Sequence, residues 1–180
     1  MHPGLITFFC VVLVATNFLV QWQVSFWRFT ITVGLLVYPI TFLVTDYVSE
    51  IYGKQVAGRL VWVGFFFAFV PSVFLSTLQI TLGSMLAYLL AQFHDVWAFH
   101  WWRQRTNGRY LWLRNNASTA VSQLLDTVIF STVAFYGVLE VDTIIAIMYS
   151  EYPIKLLYAL LDTGPLYFFV NRARRRQFDS

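Results

Sequence analysis

Long stretches without a charged residue dominate the chain. Asp, Glu, Lys and Arg are absent from residues 1–27, 29–45 and 60–93, and residues 115–139 carry Asp126 as their single charge. A helix needs about 20 predominantly apolar residues to cross the hydrocarbon core of a bilayer, so this pattern predicts membrane-spanning helices. The predicted spans lie near residues 5–21, 29–46, 59–74, 76–92, 117–138 and 145–170.

Residues 60–93 predict two spans joined by a tight turn. Their 34 residues would form a helix of about 51 Å at 1.5 Å per residue, which is too long for one ordinary crossing. Short loops rich in Lys and Arg remain in the cytoplasm. Such residues flank this stretch on both sides, which requires an even number of crossings between them. We therefore predict a hairpin around residues 70–72 and an interfacial, partly amphipathic linker at 94–116.

The same rule places both chain termini in the cytoplasm. The C-terminal run 172–176 is rich in arginine, whereas the opposite side carries Arg28, Glu140 and Asp142 and is not basic. The predicted fold is an all-α polytopic membrane protein, a single domain over residues 1–180 with six transmembrane helices. Basic segments also bind nucleic acids, but beside spans they are the ordinary topology signal and contact anionic headgroups. We predict membrane lipid, and no nucleic acid, as a partner.

Composition agrees with this prediction and removes several function classes. Hydrophobic residues make up 58% of the chain and charged residues 12%, against about 25% charged residues in soluble domains. The single Cys10 has no second cysteine for a disulfide or a cysteine metal site. Phosphate-binding loops, zinc-protease motifs and nucleophile elbows are absent from the sequence. We therefore predict no enzyme activity, no cofactor and no metal.

Ionisable residues nevertheless lie at membrane depth, where a charge costs about 2.5–3.5 kcal/mol on insertion scales. Asp126 is near the middle of the fifth predicted span, and Ser122 and Gln123 occupy the turn before it. In the sixth span, Glu151 precedes Lys155 by four residues, a spacing that places both side chains on one helix face.

A third acid, Asp162, follows Lys155 by seven residues on that same face. Pro165 cannot donate a backbone hydrogen bond, so we expect the helix to open or kink beside Asp162. Buried ion pairs that fix helix register would explain Asp126, Glu151 and Lys155. Three acids against one base favour a binding site instead, in which an unpaired acid is neutral or accepts from a ligand.

Asp46 and Glu50, at the cytoplasmic end of the second span, form a like-charge pair four residues apart. Such a pair weakens an isolated helix, so a base must compensate: Lys54, Arg59 or a basic group from another helix. A solvated helix end with local ion pairs is the alternative for Glu50. Asn17, alone in an apolar helix, suggests a hydrogen bond between helices.

The polar positions form blocks in a fixed order along the chain. They are Asn17 with residues 21–34; Tyr38-Pro39-Ile40-Thr41-Phe42 with Thr45-Asp46 and Glu50-Ile51-Tyr52-Gly53; residues 111–116 with Ser118-Thr119, Ser122-Gln123, Asp126-Thr127 and Phe130; and Tyr152, Lys155, Asp162-Thr163 and Pro165. Together these blocks resemble the queuosine precursor transporter family, also known as the vitamin-uptake-transporter-like family. The resemblance covers nearly the whole chain, although the connection between the third and fourth helices is shorter here than is typical of the family.

The resemblance implies uptake of 7-deazaguanine precursors of the tRNA base queuosine: the 7-cyano or 7-aminomethyl derivative, or queuine. It implies a secondary carrier in a bacterial inner (plasma) membrane. A guanine-like edge presents adjacent N–H donors that a carboxylate accepts, and its O6 needs a donor. In the implied substrate site, Asp126 and Asp162 are acceptors, and Lys155 and Gln123 are donors. Ser122, Glu151 and Asn17 lie around them. Asp46 and Glu50 would form a cytoplasmic gate or proton-linked pair.

Other function classes stay open. The substrate-binding subunit of an energy-coupling-factor importer also has six helices of similar length, and it would need separate ATPase and scaffold subunits as partners. An intramembrane enzyme would need a paired nucleophile and base or a metal ligand set, which the sequence does not suggest. A structural or assembly protein would leave the excess of acids at membrane depth unexplained. The sequence does not distinguish a monomer from a homodimer.

Overall fold

The computed structural model describes residues 3–19, 22–26 and 29–178. Within these ranges the chain is helical apart from one β-hairpin and the connections between elements. The elements in chain order are α1 (Pro3–Leu19), β1 (Gln23–Phe26), β2 (Phe29–Thr32), α2 (Gly34–Val37), α3 (Pro39–Tyr52), α4 (Lys54–Leu75), α5 (Leu78–Arg105), α6 (Leu111–Phe135) and α7 (Val141–Phe178).

The β-hairpin corrects the predicted second span. Strands β1 and β2 pair antiparallel, with Gln23 opposite Thr32 and Phe26 opposite Phe29. Residues 29–32 therefore do not belong to a helix, and the span begins at Gly34. The residues Phe29-Thr30-Ile31-Thr32 are aromatic or β-branched, a composition that favours a strand. Mean hydropathy alone does not distinguish such a segment from the start of a helix.

Four of the described helical segments are long and apolar enough to cross a membrane. They are Gly34–Tyr52, Lys54–Phe74, Leu111–Phe135 and Val141–Arg175, and Pro3–Thr16 is a shorter apolar helix. Helix α5 is not among these four segments. It contains Gln92, His94 and Asp95, which lower its mean hydropathy. The helical class and a set of four candidate spans are thus confirmed. The count of six spans and the side of each terminus stay predictions.

The turn between α4 and α5 is not where the sequence predicted it. Pro71 lies inside α4, and the chain turns at Ser76 and Thr77 instead. Thr77 caps α5, because its side chain accepts a hydrogen bond from the backbone N–H of Ile80, a common way for a helix to begin. Residues 70–72 are therefore helical, and the predicted hairpin at that place is wrong.

Most of the predicted linker at 94–116 is helical, and the connection is limited to residues 106–110. Helix α5 continues to Arg105, and α6 begins at Leu111. Asn107, Gly108 and Tyr110 have positive φ angles of 48°, 74° and 55°, so the chain leaves α5 through a left-handed segment. Trp97, Trp101 and Trp102 lie on the helical extension of α5, whereas Trp112 lies on α6.

Helix α6 presents a polar face to the protein interior and an apolar face outward. Its exposed side includes Trp112, Val121, Leu124 and Val128, the reverse of a helix in a water-soluble protein. This arrangement fits a helix whose outer face contacts lipid. The buried polar residues of α6 are Arg114, Asn115, Ser118, Thr119, Ser122, Gln123, Asp126, Thr127 and Ser131.

Helices α1, α4 and α5 cross closely at Gly64. A Cβ atom at this position would lie 2.5 Å from Phe9 Cε1 and 2.6 Å from Leu13 Cδ1, and would also overlap the hydroxyl of Tyr88. That hydroxyl donates to the carbonyl of Val61 at 3.1 Å and so holds its position. Small residues at helix crossings allow such close approach in membrane proteins.

We expect Gly64→Ala to destabilise the protein by about 1–3 kcal/mol, because the added methyl group has no space and forces the three helices apart. Gly58→Ala is the matched control on the same helix, since its nearest neighbour, Phe93 Cε1, would lie 3.8 Å from the new Cβ. Thermal unfolding of the detergent-purified variants measures the difference. Equal stability of the two variants would contradict this packing.

Candidate membrane-embedded site

A buried ion pair joins α6 to α7. The ammonium group of Lys155 donates to Asp126 Oδ2 at 2.8 Å and to Thr127 Oγ1 at 3.0 Å. Tyr38, between α2 and α3, donates its hydroxyl to Asp126 Oδ1 at 2.9 Å. Glu151 lies 3.9 Å from Lys155. The structure therefore brings together three of the predicted site residues, with two acids around one base.

A second polar cluster contains two acids from different helices. Asp46 on α3 and Asp95 on α5 are both 0% exposed. The hydroxyl of Thr119 on α6 lies 3.4 Å from Asp46 Oδ2 and 3.3 Å from Asp95 Oδ1. Within the described ranges, no basic side chain forms an ion pair with either acid.

Two buried glutamine side chains leave polar atoms without a partner. Gln123 on α6 is 0% exposed, and neither its amide nitrogen nor its amide oxygen has a hydrogen-bond partner among the described residues. Gln92 on α5 donates to Thr41 Oγ1 at 3.1 Å, but its amide oxygen has no donor there. Unpaired buried polar groups are costly, which indicates that a ligand or water completes these positions.

Ser122 connects the polar face of α6 to α5. Its hydroxyl donates to the carbonyl of Ser118 at 2.8 Å and lies 2.9 Å from His94 Nδ1. Because the hydroxyl has one proton, the Nδ1–H group of His94 is the donor in the second contact. Ser122 and Gln123 thus lie on the α6 face between the Asp126–Lys155 pair and the Asp46–Asp95 pair.

Glu50 lies at the end of α3 and is surrounded by arginines. Arg114 on α6 approaches it at 3.1 Å with both side chains only 1% exposed, Arg103 on α5 lies at 3.9 Å, and Arg174 on α7 donates to Glu50 Oε1. The compensating bases therefore come from other helices rather than from Lys54 or Arg59. Because Glu50 is buried, a solvated helix end does not describe it, and it joins four helices at one end of the bundle.

Asp162 and Asn17 are the remaining predicted site residues. Asp162 is half-buried on α7, and within the described part of the chain no ion pair or hydrogen bond to its carboxylate is found. Its neighbour Thr163 accepts from Asn116 Nδ2 at 2.7 Å. Helix α7 runs through Pro153 and Pro165, so the chain remains helical beside Asp162, and the kink stays a prediction. The side chain of Asn17 lies outside the described residues.

The chain is similar to a known family of membrane proteins. A family model described as "Putative vitamin uptake transporter" matches residues 32–76 and 70–169. This chain belongs to that family. The two matched segments overlap at 70–76, beside the short turn between α4 and α5. Together they include the site residues described above, except Asn17 and Arg174.

Individual relatives carry the names of queuosine precursor transporters. The "Probable queuosine precursor transporter" of Bacillus subtilis (strain 168) is 34% identical over 82% of this chain and 75% of that protein. The "Queuosine precursor transporter" of Escherichia coli (strain K12) is 29% identical over 89% of this chain and 81% of that protein. No solved structure matches. The bacterial relatives and the apolar helices identify an integral bacterial membrane protein, and the predicted family is confirmed.

In this family member the sequence prediction missed Asp95 and Tyr38. Asp95 was assigned to an interfacial linker, yet it lies inside α5 and is fully buried. The spacing of nearby residues could have indicated this helix, because Gln92, Asp95 and Phe99 are separated by three and four residues and share one helix face. Tyr38 was recognised only as part of a family block, and its contact with Asp126 depends on the tertiary fold.

A large groove on this transporter-family chain is separate from the polar clusters. Its volume is about 650 Å³, and it is lined by α1 residues between Ile6 and Phe18 and by Phe67 of α4. None of the site residues lines it. An apolar groove on the outer surface of a membrane helix suits lipid tails, and we do not assign it to the site.

The Asp126–Lys155 pair yields a prediction about stability. We expect Lys155→Met to destabilise the protein by about 3–5 kcal/mol, because it leaves a buried carboxylate without its counter-charge. Adding Asp126→Leu should restore most of that loss, since a hydrophobic pair of similar volume removes the unpaired charge. Denaturant unfolding of the single and double variants measures the coupling. Additive losses in the double variant would show that the two side chains do not interact.

Proposed function

We propose that this protein is a secondary carrier that takes up queuosine precursors, namely 7-cyano- or 7-aminomethyl-7-deazaguanine or queuine. The observation that carries the proposal is the buried polar face of α6, which places amide, hydroxyl and carboxylate groups inside apolar helices. The names of the Bacillus subtilis and Escherichia coli relatives supply the substrate class.

We further propose one domain of six spans with both termini in the cytoplasm. Helices α1 and α5 would complete the set with the four candidate spans. The contacts of Glu50 with Arg103, Arg114 and Arg174 place the α5–α6 connection and the arginine-rich C-terminus at one end of the bundle. Because basic segments remain inside, this end would face the cytoplasm, with Glu50 and its arginines as the gate.

The Asp126–Lys155 pair suits the edge of a 7-deazaguanine. That edge presents the O6 acceptor beside the N1–H donor, and the pair presents an ammonium beside a carboxylate, 2.8 Å apart. Bound substrate would exchange the internal ion pair for two contacts of the same polarity. Gln123 and Ser122 would face the remaining polar atoms, Glu151 would attract an aminomethyl cation, and Asp162 would accept a further N–H. Asn17 remains a proposed contact by resemblance.

Uptake by living cells tests the substrate assignment. The chain is expressed in queuosine-deficient cells that lack their own precursor transporter, each precursor is supplied at nanomolar concentration, and queuosine is measured in tRNA. We expect restored queuosine, and the active precursor identifies the substrate. Failure in cells that contain the protein in the membrane would indicate a need for energy-coupling subunits if the purified protein still binds precursor. Failure of both uptake and binding contradicts the proposal.

Gln123 allows a sharper test of the pocket. Gln123→Met keeps the side-chain volume and removes both unpartnered amide atoms, so we expect unchanged or higher stability. We also expect the apparent KM for the precursor to rise by about 5- to 150-fold, corresponding to a lost hydrogen-bonding group worth about 1–3 kcal/mol. Leu124→Met, on the adjacent lipid-facing position, is the matched control. An unchanged KM in Gln123→Met would remove this residue from the site.

A further inference from the structure

Asp46 and Asp95 are two buried acids that lie around the same hydroxyl group. An ionised carboxylate only accepts hydrogen bonds, whereas a protonated one has a single O–H donor. The Thr119 hydroxyl lies 3.4 Å from Asp46 Oδ2 and 3.3 Å from Asp95 Oδ1, and both acids are 0% exposed. Two ionised carboxylates around one buried hydroxyl would repel each other strongly, which favours the binding of a proton by one of them.

The hydroxyl groups around Asp46 and Asp95 do not neutralise the negative charge of the two acids. Thr119 has a single hydroxyl proton for both acids. From α6, the hydroxyl protons of Ser118 and Ser122 are directed to the backbone carbonyls of Asn115 and Ser118. These hydroxyl groups bring no charge to the pair.

The nearest charged and titratable neighbours have other partners or the same sign. Asp162 on α7 is a further acid and has no ion pair among the described residues. Tyr38 donates to Asp126, and His94 on α5 contacts Ser122. Lys155 pairs with Asp126, and the described arginines near this end of α3 pair with Glu50. The pair is therefore negative unless protons bind it.

Gln92 supplies an independent indication that something binds here. It precedes Asp95 by three residues on α5, and its amide nitrogen donates across the interface to Thr41 of α3 at 3.1 Å. Its amide oxygen is buried without a donor among the described residues, as are Asp46 Oδ1 and Asp95 Oδ2. Three acceptor oxygens in one interface need donors, and protons carried by water or by the acids themselves would provide them.

We propose that Asp46 and Asp95 form a proton-binding site that couples precursor uptake to a proton gradient. With one shared proton the two acids hold α3 against α5. Loss of that proton leaves two repelling carboxylates in this interface, so proton binding and release would bias the conformation of the helix pair. Thr119 links the acids to α6, whose next turn carries Gln123, the proposed substrate contact. This inference rests on the proposed function.

Infrared spectroscopy tests the proton site without substrate. In purified wild-type protein we expect a C=O stretching band of a protonated carboxyl group, which Asp46→Asn and Asp95→Asn each remove. Asparagine keeps the shape and the hydrogen-bonding capacity of the side chain, so folding should be retained. Asp142→Asn, at an exposed acid in the first turn of α7, should leave the band in place. Absence of such a band in the wild type, or its survival in both pair variants, overturns the proton site.

Proteoliposomes test the coupling with two assays. We expect wild-type protein to accumulate precursor when a pH gradient is imposed, and not when a sodium gradient replaces it. Asp95→Asn and Asp46→Asn should lose this accumulation to the level of protein-free vesicles while retaining exchange of labelled for unlabelled precursor at equal pH. Asp142→Asn should behave as the wild type in both assays.

The outcomes separate the two proposals. Exchange without pH-driven accumulation, accumulation driven by sodium, or full accumulation in Asp95→Asn would each overturn proton coupling while leaving the transport function in place. If wild-type protein gives no exchange with any of the three precursors, the substrate assignment fails. The coupling role fails with it, whereas the infrared band still decides whether Asp46 and Asp95 share a proton.

Discussion

The cost of burying charge away from water governs the arrangement of this bundle. Between membrane helices, apolar packing gains little over contact with lipid, so polar contacts and close approach of small residues contribute much of the specificity. Asp126 is paired by Lys155 and also accepts from Tyr38, which connects α6, α7 and the start of α3. Glu50 and its arginines make a similar connection at the end of the bundle. The positions of four helices thus depend on a few ionised side chains.

Much of this could be predicted from the sequence, because a lone charge inside an apolar run is conspicuous. The spacing of Ser122 and Asp126 placed them on one face of α6, and Glu151 and Lys155 on one face of α7, before any tertiary information. The helices themselves follow from the apolar runs. The β-hairpin before α2 and the true turn at Ser76 were not predicted, because hydropathy changes little where the chain turns inside or beside a membrane.

The partners of the predicted residues could not be read from the sequence for a different reason. Asp95 lies amid tryptophans, histidines and arginines that are typical of an interface, and its burial results from the extension of α5 by more than two turns. Arg114 was regarded as part of a basic loop, although it is buried against Glu50 and lies 5.2 Å from the ring of Phe99. Contacts between residues distant in sequence depend on helix packing, on which local periodicity carries no information.

The distribution of charge along the bundle bears on what the site can accept. At the end marked by Glu50, three arginines surround one carboxylate, so the excess there is positive and suits anionic headgroups. In the interior the excess is negative, because Lys155 faces both Asp126 and Glu151, while Asp46 and Asp95 have no ion pair among the described residues. A ligand that enters this interior must bring N–H donors or positive charge, since an anionic ligand would add to the repulsion. The donor-rich edge of a 7-deazaguanine and a bound proton meet the same requirement, which is why one polar face can serve both the proposed substrate and the proposed coupling ion.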